Sequence, residues 1–280
     1  ALGFPHATGP RGSTEPVAHT LPAWDCIAGN MVVSALLAAE RQRLRGGGGQ
    51  GVTLSLKDVA AAMLGHLGII GEVCVNGTDR AKASNSLYGA YGQDFVCGDG
   101  RRVMVIGLTD RQWRNLVKAT GTDAEMAALA AQLGADLSQE GARWEAREAI
   151  TVILQPWFAA RGVDEIGTLF DTAGVTWSEF RSFAQAVAED PDLSPDNPMM
   201  TMLDQPGLGT FPVPGTPMAF SGHERAPPVP APSLGADTEA VLADVAGFSS
   251  GEIGRLFDEG IVDGPRPPRH AMPSAAGARR

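Results

Sequence analysis

The chain has 280 residues and a formal net charge of −10, with 44% hydrophobic and 19% charged residues. That length admits one large domain or two ordinary ones around a substantial core. The acidic balance argues against a nucleic-acid protein, whose phosphate contacts need a basic face. No apolar run approaches the roughly eighteen residues of a bilayer span, so no membrane segment is expected.

The first residues, ALGFPHATGPRGSTEP, have neither the basic start nor the apolar stretch of a secretory signal, and no starting methionine. We therefore expect a segment of a longer protein. The cysteines Cys26, Cys74 and Cys97 form no CxxC pair and leave an odd thiol, so a reducing compartment, the cytoplasm, is expected. His, Cys and carboxylate residues show no metal-ligand spacing, and no metal is expected.

In LPAWDCIAGN, Asp25 stands at the entry to an apolar helical pattern that runs from Cys26 through Glu40-Arg41-Gln42-Arg43. Two readings apply: an N-cap that accepts a hydrogen bond from a first-turn amide, or an exposed carboxylate suited to nucleophilic attack. The glycines Gly46 to Gly49 end this helix. Their order, helix then glycines then strand, is the reverse of a phosphate loop, so they read as a connector. GVTLSL alternates like a short strand, and KDVAAAMLGHLGIIGEV reads as a second helix with His66 as a satisfied core histidine.

Residues 76 to 100, rich in Gly, Asn and Ser, read as a loop carrying both tyrosines, Tyr88 and Tyr91. Asn85, Tyr88 and Tyr91 are candidate substrate contacts, because amide and phenol donors suit a carboxylate. RRVMVIGL is a strand; helices are expected from Asp110 and over 123 to 133, 140 to 153 and 163 to 173. Residues 85 to 190 thus form a small mixed α/β domain. From Pro191 a Pro- and Gly-dense stretch reads as an extended segment, followed by a helical pair, DTEAVLADVAG and SSGEIGRLFDEGIV, and a loose tail.

Five blocks together carry a family resemblance: PAWDCIAGNMVVSALLAAERQRLRGGGGQGVTLSLKDVA, DGRRVMVIGL, GVTWSEFRSFAQAVAEDP, QPGLGTFPVPGTPMAFS and PAPSLGADTEAVLADVAGFSSGEIGRLFDEGIV. In order and spacing they resemble the family III CoA-transferases over residues 20 to about 262. The resemblance implies an α/β fold: a Rossmann-like large domain, partial here, with a small α/β domain, in subunits that interlock as a homodimer. It assigns 1–75 to the large CoA-binding domain, 76–84 to a linker, 85–190 to the small domain, 191–262 to the return segment and 263–280 to the tail. Members carry a longer N-terminal segment that builds much of the CoA pocket.

The family's catalytic aspartate stands just before a helix ending in a Thr-Gly-basic-Gly-Gln turn, the position of Asp25. The resemblance therefore implies an aspartyl-CoA intermediate, with coenzyme A as part of the substrate and no separate cofactor. The partners implied are an acyl-CoA and a small carboxylic or dicarboxylic acid. The combination of ALGFPHATGP, LPAWD, GHLGIIGEV, NSLYGAYGQDF, TDRQW and NPMM most resembles the branch that moves CoA between the two carboxylates of mesaconate, C1 to C4.

Other readings stay open. One is an intermolecular CoA-transferase. Another is the racemase branch, which needs a glutamate where this chain has Thr109, beside Asp110. A non-catalytic assembly module or inactive fragment is the third. The chain departs from the family at the turn, Gly-Gly-Gly-Gly-Gln, and at Gly235-Ala236-Asp237-Thr238, where Gly-Glu-His-Thr is usual.

Overall fold

A computed structural model describes residues 2–265. The chain divides into two units, Ala1–Phe180 and Arg181–Arg280.

In the first unit, α1 (Phe4–Ala7) leads through a loop to α2 (Ala23–Leu44). α2 starts three residues before the apolar pattern suggested. It ends where expected: Arg45 is the C-cap, Gly46 takes φ +90°, and the Gly47 amide donates to Gln42 O at 3.1 Å. Its 22 residues span about 33 Å. Ala28 is its buried residue, while Val33 and Leu36 are 56% and 65% exposed.

GVTLSL is not a strand. A strand is held by a paired neighbour, not by alternation, and these residues pair with no strand among the described residues. Ser55 instead caps α3 (Leu56–His66), accepting from the Asp58 amide at 3.2 Å. The single helix expected next breaks at Gly68, whose φ of +73° starts α4 (Ile69–Asn76) at a bend of 61°. No single described helix is long and apolar enough to cross a membrane, although the bent α3–α4 pair passes that test jointly. His66 sits exposed in the last turn of α3, not in a core, because that turn ends at Leu67 and Gly68 with no described element packed over it to bury the ring.

Part of the loop expected over 76 to 100 is strand. β1 (Tyr91–Val96) pairs antiparallel with β2 (Arg102–Gly107), and β3 (Thr176–Glu179) pairs antiparallel with the other edge of β2. Alternate β2 residues Val103 and Val105 are fully buried.

Helices cover that face: α5 (Asp110–Thr120), α6 (Asp123–Leu133), α7 (Glu140–Glu145), α8 (Arg147–Ala159) and α9 (Val163–Ala173). α5 buries Trp113, Leu116, Val117 and Thr120, and α9 buries Val163, Ile166, Gly167 and Phe170, each at the i, i+3, i+4, i+7 spacing of one helix face. Phe158 of α8 stacks on Phe95 of β1 with centroids 4.1 Å apart. At Gly167 a Cβ would lie 2.8 Å from Trp177 Cζ2, so only glycine lets β3 and α9 come this close.

Arg143 is fully buried and solves its charge problem with carbonyls. Its guanidinium donates to the carbonyls of Gly107, Leu108, Leu137 and Ser138 at 3.2, 2.6, 2.9 and 2.8 Å. This ties the end of β2 to the connection between α6 and α7.

In the second unit, α10 (Phe183–Glu189) precedes a hairpin of β4 (Met200–Gln205) and β5 (Gly209–Pro214). The expected helical pair follows as α11 (Thr238–Ala240), which continues as a π-helical turn over Val241–Val245, and α12 (Ser250–Asp258). The tail expected from residue 263 lies outside the described residues from 266 onward.

Candidate active site

Asp25 is the third residue of α2, not its cap. The N-cap is Pro22, whose carbonyl accepts the first helical bond from the Cys26 amide at 3.1 Å. An acidic residue at this third position ordinarily reaches back to the N–H of the capping residue. Proline has no N–H to offer, so that bond cannot form. The Asp25 side chain is exposed and has no hydrogen bond or ion pair among the described residues. The first-turn amides of Trp24 and Asp25 likewise find no acceptor there, which leaves donors and a positive dipole end around the carboxylate.

The approach to this turn is built by local packing. The Val17 amide donates to Pro5 O at 2.9 Å, and the Phe4 ring meets Trp24 edge-on at 5.1 Å. These contacts enclose a pocket of about 180 Å³ lined by Phe4, Pro5, His19, Leu21, Pro22 and Trp24. A shallow depression of about 300 Å³ follows along α2, lined by Cys26, Ile27, Asn30, Met31 and Ser34. Asp25 stands in sequence between the two linings.

The three candidate contacts have separate fates. Asn85 is exposed on a turn. Tyr88 is half exposed; its hydroxyl donates to Glu72 Oε1 at 2.9 Å. Its ring packs 5.0 Å from Trp144, with the Arg80 guanidinium 4.1 Å from the ring centre. Arg80 also donates to Glu72 from Nε at 2.8 Å, so one carboxylate holds both partners. Arg80 first, then Tyr88, hold the Glu72 carboxyl below the usual range.

Tyr91 is not a substrate contact. It is fully buried in the core, edge-on to Trp113 at 5.7 Å, with its hydroxyl 3.1 Å from Thr151 Oγ1. Burial pushes its phenol well above the ordinary value. No hydrogen bond, ion pair or ring contact joins Asp25 to Asn85, Tyr88 or Tyr91 among the described residues.

Thr109 has a structural job. Its hydroxyl accepts from the Gln112 amide at 3.3 Å and its amide donates to Gln112 Oε1 at 2.9 Å, closing a capping box on α5. Asp110 pairs with Arg114 one turn on.

The sequence reading also missed Glu72, Arg80 and Lys82. Glu72 and Arg80 meet across eight positions at a helix end, a spacing with no periodic signature. Lys82 donates to the Glu15 carbonyl from 67 residues away. Arg143 left a fainter sign: it occupies a core position of the apolar series continued by Ala146, Ile150 and Leu154. Among the described residues no group of His, Cys, Asp and Glu could hold a metal.

The exposed carboxylate in a helix's first turn and the mixed α/β unit around it gain a class from comparison with known proteins. The chain belongs to CoA-transferase family III, whose profile matches residues 1–238.

It is 50% identical over 264 residues to 2-methylfumaryl-CoA isomerase of Chloroflexus aurantiacus, covering 94% of this chain and 64% of that protein. It is 24% identical over 263 residues to human succinyl-CoA:glutarate CoA-transferase, covering 93% of this chain and 57% of that one. The chain therefore spans less than two thirds of either relative.

A CAIB/BAIF family protein from Brucella suis shares the fold, with a TM-score of 0.62 at 22% identity, covering 86% of this chain and 60% of that one. Rv3272 from M. tuberculosis does so with a TM-score of 0.59 at 18% identity, covering 79% and 56%.

Proposed function

We propose that the complete protein moves coenzyme A between carboxylates through Asp25, and that its reaction is the isomerisation of 2-methylfumaryl-CoA from the C1 to the C4 thioester. The observation that carries this reading is 50% identity, over 94% of the chain, to a protein of that activity. The unengaged carboxylate of Asp25 supports the chemistry.

Asp25 attacks the thioester carbonyl, and collapse of the tetrahedral adduct expels CoA thiolate, leaving a mixed anhydride of mesaconate and the aspartyl group. The thiolate attacks the aspartyl carbonyl, giving aspartyl-CoA and free mesaconate. The other mesaconate carboxylate then attacks aspartyl-CoA, a second anhydride forms, and the thiolate takes the C4 acyl carbon as Asp25 leaves. Amides of the α2 first turn are suited to stabilise the oxyanions. Asn85 and the exposed side of Tyr88 are the proposed substrate contacts. Coenzyme A is a substrate moiety, no further cofactor or metal enters, and the working assembly is proposed to be an interlocked homodimer. Racemisation is less supported, because Thr109 and Asp110 are occupied in capping and pairing α5.

The test is incubation of the complete gene product with mesaconyl-C1-CoA, with chromatography for the C4 isomer and acid-quenched protein mass spectrometry for a CoA adduct. Isomer and adduct, both lost in Asp25→Ala, are expected without any added acid. No isomer from folded wild-type protein would retire the isomerase reading in favour of an intermolecular transferase; activity surviving in Asp25→Ala would remove Asp25 from the mechanism.

A further inference from the structure

We propose that Lys82 is a positioning residue that fixes the approach to Asp25; the catalytic part of this proposal rests on Asp25 being the nucleophile. Lys82 is 8% exposed, and its ammonium donates to the Glu15 main-chain carbonyl. No carboxylate pairs with it among the described residues. A charge taken out of water without a counter-ion is expensive and persists only where the surrounding contacts use it.

Those contacts converge on one short segment. A Cβ at Gly9, which holds φ +116°, would lie 2.8 Å from Val17 Cγ2 and 3.3 Å from Lys82 Nζ, so the loop closes directly over the ammonium. The Val17 amide is bonded to Pro5 O, and Phe4, next to Pro5, packs on Trp24, the neighbour of Asp25. A second tie lies beside the first: the Arg11 amide donates to Ser84 Oγ at 2.9 Å, and Ser84 is the described non-glycine residue with positive φ, at +54°. Lys82 thus anchors the 9–17 loop, the loop holds Phe4 and Pro5, and these hold the first turn of α2. A nucleophile displaced by about an ångström loses up to about 100-fold in rate while binding is spared.

The experiment uses the complete gene product with Lys82→Met, which keeps length but loses the donor, and Lys82→Arg, which restores one. Hydrogen–deuterium exchange followed by mass spectrometry reads the amides of Val17 and Cys26, and steady-state kinetics on mesaconyl-C1-CoA separates kcat from KM. In Lys82→Met we expect exchange over residues 15–26 to quicken by about tenfold or more and kcat to fall by about 10- to 100-fold with KM nearly unchanged. Lys82→Arg should recover most of both.

Gly9→Ala, which leaves Lys82 in place and crowds Val17, should move exchange and kcat the same way, and it decides the matter if Lys82→Met does not fold. Unchanged exchange and kcat in a folded Lys82→Met variant, or in Gly9→Ala where that variant does not fold, would overturn the proposal. So would a rise in KM at constant kcat. Quickened exchange in a protein whose wild type makes no isomer would retire the isomerase reading alone and leave the hold of Lys82 on the segment standing.

Discussion

Replacing Asp25 by Asn separates two jobs that a first-turn carboxylate can hold. The structural job is small and bounded. Asp25 has no side-chain hydrogen bond, Pro22 denies it the capping-box partner, and it is exposed, so the charge interacts mainly with the helix dipole. That interaction is worth about 0.3–1 kcal/mol, which for a unit of this size is a drop in melting temperature of no more than about 4 °C. The catalytic job proposed for Asp25 is large: loss of a covalent nucleophile costs about 10⁴-fold or more in kcat, roughly 5.5 kcal/mol of barrier. Urea or thermal denaturation of Asp25→Asn beside wild type gives the first number, and formation of the C4 thioester gives the second. Asp25→Ala guards against slow deamidation restoring aspartate, and alanine's higher helix propensity offsets part of the dipole loss, by about 0.5 kcal/mol. The reasoning fails if stability falls by more than about 2 kcal/mol, because Asp25 would then be holding structure, or if isomerisation persists in Asp25→Ala.

Other variants probe the surroundings. Pro22→Ser supplies both a capping hydroxyl and the missing N–H; we expect about 1 kcal/mol of added stability by denaturation together with a fall in kcat as Asp25 is drawn into a capping box. Tyr91→Phe should cost about 0.5–1.5 kcal/mol in urea unfolding through its Thr151 bond, with kcat and KM unmoved, as befits a core residue. Ser84→Ala loses the acceptor of the Arg11 amide and keeps the left-handed backbone, so about 1 kcal/mol should be lost; Ser84→Gly loses the same bond but relieves about 1 kcal/mol of strain and should unfold near wild type. Glu72 titrates low in the folded chain because Arg80 and Tyr88 bond its carboxylate. Its contribution is therefore present above the unfolded glutamate value of about 4.3 and is lost as pH falls through the lower folded one. Exchange protection of the residues around Tyr88 should drop below that range, and Glu72→Gln should abolish the step.

Elements whose determinants are local were legible in the sequence. The helices at 123–133 and 163–173 have the observed bounds, because an apolar face of the right period ends in each case at a glycine, Gly134 and Gly174, that adopts the left-handed conformation. Elements decided at long range were not. β1 reads as a loop because Gln93 and Asp94 interrupt its apolar alternation, and only pairing with β2 makes Tyr91–Val96 a strand. GVTLSL erred in the opposite direction, with alternation but no partner. α8 runs past the expected end at 153 to Ala159 in spite of Pro156, the carbonyl four residues earlier belonging to Val152, which is 70% exposed and can turn to water. At the site, Asp25 stood out because several blocks around it match one family in order. Tyr91 was misjudged because a tyrosine in a Gly-rich stretch looks the same in sequence whether it faces a ligand or a core.

The short stretch Leu21–Cys26 shows how local rules carry chemical meaning. A helix start normally absorbs its acidic residue: serine, threonine or aspartate caps the amides, and a glutamate or glutamine at the third position returns the favour to the cap. α12 does this with Ser249 and Glu252, α10 with Ser182 and Gln185, and α5 with Thr109 and Gln112. α2 has the acidic third residue and lacks the partner, since proline at the N-cap offers neither hydroxyl nor N–H. Its Trp24 and Asp25 amides and its carboxylate stay unengaged among the described residues, at a cost in local stability that the other three helices do not bear. A helix that forgoes its cap in this way retains side by side a free carboxylate and free N–H donors, the two kinds of group that the acyl transfer proposed for Asp25 would use as nucleophile and oxyanion stabilisers.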